Sequence, residues 1–128
     1  MTREKFEKIA EDVFNGLPDI FGKRIDNVHI VVEEYPNEED VRQAYSSRKA
    51  LLGLYQGVPL THRGTWYGAY PTTPDKISLY QKNIESVCLN DEEVSEKICE
   101  VLLHELGHYF GMNELQIRSA MSNFKSIY

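Results

Sequence analysis

The run His104-Glu105-Leu106-Gly107-His108-Tyr109-Phe110-Gly111-Met112-Asn113-Glu114 carries four side chains able to do chemistry at fixed offsets, HExxHxxGxxE. On a helix, residues four apart lie about 40° apart and one turn along the axis, so His104 and His108 can turn both imidazoles to one metal ion. Glu105 falls beside them, placed to reach water on such an ion and not the ion itself. Gly111 ends the helix, because glycine adopts the left-handed conformation that turns a chain back at a helix terminus. That turn can deliver Glu114 as a third ligand. Residues 115–128 contain no Asp, Glu, His or Cys, which leaves Glu114 as the only acidic candidate downstream. Two histidines and a carboxylate, with a fourth position open to water, are an established set for catalytic zinc. The chemistry implied is hydrolysis: the ion acidifies water and polarises a carbonyl, and Glu105 takes the proton as general base. The competing reading is a helix with two surface histidines and a solvated glutamate. It explains poorly why all three border the apolar face, where unpaired charge is costly.

The elements that must hold these residues can be read from hydrophobic periodicity. Asn90 with Glu93 three residues on is a capping-box pattern, and Val94, Ile98, Val101, Leu102, Leu106 and Phe110 continue a helix to Gly111. A shorter helix follows from Asn113 or Glu114 to about Phe124. At the other end, Phe6, Ile9, Ala10, Val13, Phe14 and Leu17 define a first helix with Thr2 as N-cap, expected to stop at Asn15-Gly16 before Pro18. Residues 27–34 and Leu51–Tyr55 read as strands. Lys76–Gln81 alternates like a strand with one buried face. Asn37 can cap a short acidic helix through Val41 and Tyr45. Residues 57–75, with three glycines and three prolines, are irregular, and a loop of that length is more often functional than idle. The expected fold class is α+β, a small mixed sheet packed on the active-site helix with flanking helices, in one domain over residues 1–128.

Composition bounds the partners. Fourteen basic against twenty acidic residues give a net charge of −6 in 128 residues, which disfavours a general binder of nucleic acid or anionic membrane. Two cysteines, Cys88 and Cys99, are too few for a disulfide framework and read as reduced thiols behaving as small core hydrophobes. The charged N-terminus lacks the apolar stretch of a signal peptide, and no run reaches the ~18 residues of a membrane span. A cytoplasmic setting is the expectation. Nothing in the sequence indicates an oligomeric state.

The motif resembles that of the zincin metallopeptidases, and in particular a short bacterial zincin-like family with HExxHxxGxx followed by Asp or Glu. Leu51-Leu52-Gly53-Leu54-Tyr55-Gln56-Gly57-Val58-Pro59-Leu60 and Arg63-Gly64 are similar to that family's middle segment, so the resemblance covers most of the chain. It implies a minimal zincin fold and one zinc ion held by His104, His108 and Glu114, with Glu105 as general base. A peptide or protein would be the substrate, with no nucleic acid or membrane partner. The family often carries Asp at the position of Glu114, so the turn must absorb an extra methylene. Met121 is a possible analogue of the methionine turn of metzincins, although its spacing from Ile117 suits plain core.

For the second donor to a developing oxyanion, Arg63 is preferred over Tyr67, Tyr70, Tyr109 and His62. His29, on the first strand, reads as a half-buried side chain and not a ligand. Lys76–Gln81 or Leu51–Tyr55 can serve as the edge to which an extended substrate adds. Two other classes remain open: a metal-dependent ribonuclease of related ligand spacing, which has HGxxH and a third His, and a non-catalytic zinc-binding regulatory module. Glu105, Glu114 and the acidic balance favour peptide over RNA. Size also carries an expectation: with no pro-segment, restraint would come from a narrow cleft, poor metal loading or a partner.

Overall fold

The computed structural model of the chain describes residues 1–21, 28–57 and 75–127. Their order is α1 (Arg3–Phe21), β1 (Val28–Glu33), α2 (Glu38–Gln43), β2 (Gly53–Gln56), β3 (Asp75–Tyr80), α3 (Gln81–Ser86), α4 (Asp91–Tyr109) and α5 (Glu114–Ile127). The three strands form a mixed sheet in the order β1-β3-β2, with β1 parallel and β2 antiparallel to β3. The fold is α+β, as the periodicities imply.

β3 is the central strand, which corrects two expectations. Ile77 and Leu79 on one face and Ser78 and Tyr80 on the other are all fully buried, so the strand has no solvent face. Being paired on both sides, it cannot be an edge for substrate. Among the described residues, β2 has β3 on one side and packs across α4 with the other part of its surface.

α1 also differs from expectation: it runs past Gly16 and Pro18 to Phe21. Glycine costs a helix about 1 kcal/mol and an interior proline about 3 kcal/mol relative to alanine. Phe6, Ala10 and Leu17 lie on one stripe and are buried to 1% exposure or less, packed in the core shared with α4. Burying Leu17, which lies between the two breaker residues, contributes about 1.5–3 kcal/mol and offsets much of that cost. Thr2 caps the helix as expected, its Oγ1 accepting from Lys5 N at 3.1 Å.

α2 is capped by Asn37, whose Oδ1 accepts from Asp40 N at 2.7 Å. It is held to the sheet by buried Asp40, which accepts from the Tyr80 hydroxyl at 2.9 Å and from Gln56 Nε2 at 3.2 Å. Burial, and next the hydrogen bond to Asp40, push the Tyr80 phenol well above its ordinary range, so it stays a donor. α3, which periodicity does not reveal, carries buried Asn83; its Nδ2 donates to the carbonyls of Arg48 and Leu51, both at 2.7 Å. The approach to β2 is thereby fixed by α3.

Candidate metal centre

α4 begins as its sequence implies: Asn90 Oδ1 accepts from Glu93 N at 2.9 Å, and Glu93 Oε2 accepts from Leu89 N. Its buried stripe of Val94, Ile98, Val101, Leu102, Leu106 and Tyr109 faces the sheet and α1, with Leu103 added. His104 and His108 lie on the border of that stripe, each with 36% of its side chain exposed. Glu105 is buried at 7% exposure.

The helix ends in a reverse turn built on Gly111, which has φ 76°. Gly111 N donates to His108 O and Met112 N to Gly107 O, both at 2.9 Å, the paired bonds of a Schellman cap. α5 then starts at once. Asn113 Oδ1 accepts from Gln116 N and Gln116 Oε1 from Asn113 N, both at 2.8 Å, a reciprocal box that fixes the first turn. Glu114 is the first residue of that turn. Its carboxylate lies across both imidazoles, Oε2 at 3.0 Å from His104 Nε2 and Oε1 at 3.3 Å from His108 Nε2.

This donor set fits a metal ion. Two imidazole nitrogens converge on one carboxylate at separations close to the ~3.3 Å between ligand atoms around a tetrahedral ion with bonds of about 2 Å. The two rings stand edge to face, centroids 4.8 Å apart. A second grouping is also close: His104, Glu105 and His108 can each offer an atom within 4.8 Å of the others. Glu105, however, is engaged elsewhere. Its Oε2 meets His104 Nδ1 at 2.7 Å and its Oε1 accepts from Tyr55 N at 2.9 Å. Glu114 touches both Nε2 atoms and is 61% exposed, so its charge is carried at little desolvation cost.

The carboxylates beside His104 favour its protonated form. The hydrogen bond from Glu105, opposed by burial and aided by Glu114, raises His104 from 6.5 to about 9. Glu114 is held below its ordinary value first by its hydrogen bond with His104, against partial burial.

Several sequence candidates sort out around this centre. Tyr109 is 1% exposed, its ring packed edge to face on Tyr55 and Phe110, which makes it part of the wall under the site. His29 is exposed on β1, not half-buried, and is not part of the metal-binding group. His62, Arg63, Tyr67 and Tyr70 lie outside the described residues, as does the side chain of Met121. Tyr55 was not singled out by its residue type. The available signal was the period of two in β2, which puts Gly53 and Tyr55 on the face toward α4. A Cβ on Gly53 would stand 2.5 Å from Val101 Cγ1 and 3.1 Å from Ser78 O, so strand and helix are in direct contact there.

A family model described as zincin-like metallopeptidase matches residues 25–122. The chain belongs to this family. The match spans the sheet, α4, the Gly111 turn and most of α5, so the metal-binding character of the motif and the mixed α+β fold go together in this zincin-like chain. No curated protein matches it. Among the described residues, no helix is long and apolar enough to cross a membrane.

Proposed function

We propose that this zincin-like chain is a zinc-dependent peptidase that binds one ion through His104, His108 and Glu114 and uses Glu105 as general base. The observation that carries the reading is the convergence of both Nε2 atoms on the Glu114 carboxylate, with buried Glu105 against the same histidine. Zinc bound there supplies Lewis acidity, which acidifies water and polarises a substrate carbonyl. Glu105 accepts a proton from the attacking water at Oε2 and passes it to the leaving amine nitrogen. To do so Oε2 must let go of His104 Nδ1, while Oε1 keeps its bond to Tyr55 N. Extended peptide adds along the β2 edge, since β3 is paired on both sides. Cys88 and Cys99, both free and half-buried against the core, suit a cytoplasmic setting.

The test is elemental analysis of the purified protein together with a peptide-library digest by wild type, chelator-treated wild type and Glu105→Gln. The expected result is one zinc per chain, cleavage abolished by the chelator, and a Glu105→Gln variant that keeps zinc and loses about a hundredfold or more in turnover. Unchanged hydrolysis by Glu105→Gln removes the general base from the scheme. Full zinc occupancy without cleavage of any peptide makes the chain a zinc-binding module and not an enzyme.

A further inference from the structure

We infer that Tyr55 is a positioning residue for Glu105, acting through its backbone N–H, with its side chain as the anchor. The inference rests on the peptidase reading for its consequence but on independent geometry for its content. Tyr80 N donates to Leu52 O at 3.0 Å, so the even-numbered residues of β2 turn their backbone groups to β3. In an antiparallel pair the alternate residues turn theirs the other way. Tyr55 N–H therefore points off the edge of the sheet, and there it meets Glu105 Oε1 at 2.9 Å.

The donor is held in place from two directions. The Tyr55 hydroxyl donates to Asp75 Oδ2 at 2.9 Å, and Asp75 is 1% exposed at the start of the central strand. The Tyr55 ring packs edge to face on Tyr109, centroids 6.1 Å apart, and Tyr109 stands one turn beyond Glu105 on α4. Gly53 meets Val101, one turn before Glu105. β2 thus rides on Val101, Glu105 and Tyr109, a single i, i+4, i+8 stripe, and cannot shift without breaking several contacts.

The two carboxylate oxygens thus differ in partner: Oε1 bonds to a backbone amide in the sheet, Oε2 to the side chain of His104. With Oε1 bonded to a rigid amide, Oε2 is the atom that carries the proton between water and leaving amine. The same bond means that a peptide lying along this edge finds the Tyr55 N–H already taken.

Two variants and one exchange measurement test this. Replacing Tyr55 by its α-hydroxy acid analogue puts an ester in place of the amide and deletes the N–H while keeping the side chain. Tyr55→Phe keeps the N–H and the ring and deletes the bond to Asp75. Both are checked for zinc content and far-UV circular dichroism. The ester variant should keep zinc and fall about tenfold or more in kcat at unchanged KM, as supporting partners of active-site groups do. Tyr55→Phe should fall by less, again in kcat alone. A rise in KM with kcat intact would mean that the N–H serves substrate, which overturns the inference; unchanged kcat in Tyr55→Phe overturns the anchoring role of Asp75.

Amide exchange in the metal-free protein supplies a readout apart from activity. The Tyr55 N–H should exchange slowly in wild type and faster in Glu105→Ala. Equal rates overturn the inference whatever the enzymology shows. Failure of wild type to cleave any peptide sinks the peptidase reading instead, and the exchange result still decides where Tyr55 N–H is bonded.

Discussion

The two ends of α4 are held by different physics. At its start the contacts are polar and exposed: the Asn90 cap, the Glu93 side chain on Leu89 N, and a Lys5–Asp91 ion pair of 2.7 Å with both side chains more than half exposed. Each such contact is worth little and can be lost separately. At its end the helix is clamped by the Gly111 turn, by close contact with Gly53 of β2, and by a buried carboxylate with hydrogen bonds on both oxygens. Those contacts share partners, so losing one disturbs the others. The first end keeps the helix formed; the second keeps His104, Glu105, His108 and Glu114 in register.

The sharpest way to break this contrast is Gly53→Val. The added side chain meets Val101 and the Ser78 carbonyl, and overpacking of this kind costs about 1–3 kcal/mol. β2 must lift from α4, so urea unfolding should show the loss of stability and turnover should fall with it. Gly111→Ala comes next, at about 1–2 kcal/mol for a left-handed non-glycine residue. Because that turn sets where Glu114 lies, zinc affinity measured by competition with a chromophoric chelator should weaken in parallel. Asn90→Ala should cost about 1 kcal/mol in the same unfolding assay and leave zinc affinity unchanged. A drop in affinity there would show that the two ends are coupled after all.

The smallest effect is expected from Lys5→Met. Lys5 beside Asp91 holds that carboxyl below its ordinary 3.8, so the pair contributes in full above that value and loses its contribution as pH falls through the lowered folded pKa. The stability of wild type and Lys5→Met, followed from pH 7 to pH 2, should differ slightly at neutral pH and converge in acid. High salt should also remove the difference.

The C-terminal third of the fold was largely legible in the sequence. The cap, the apolar stripe, the glycine stop and the carboxylate beyond it are local signals, each read within a turn or two. The rest depended on long-range packing. Gly16 and Pro18 are strong local breakers, but buried Leu17 carries α1 through them. Ser78 and Tyr80 look like an outward face of β3, yet the strand is central and Tyr80 finds Asp40 from α2. Tyr55 looks like any strand aromatic, because its role lies in a backbone N–H, which every residue but proline has. No residue type advertises that.

Sequence distance along the chain has its own consequence at the centre. The metal-ligand candidates His104, His108 and Glu114 fall within one helix and the turn after it, so they meet by local chain closure. The bond from Tyr55 to Glu105 spans 50 positions. It forms only when the sheet has assembled and docked on α4, at the entropic cost of a long loop. On the proposed peptidase reading, local ligands and a base held by a long-range bond place affinity and turnover under separate control. On that reading, sequence change in β2 acts first on Glu105 and reaches the histidines only through the Glu105 bond to His104.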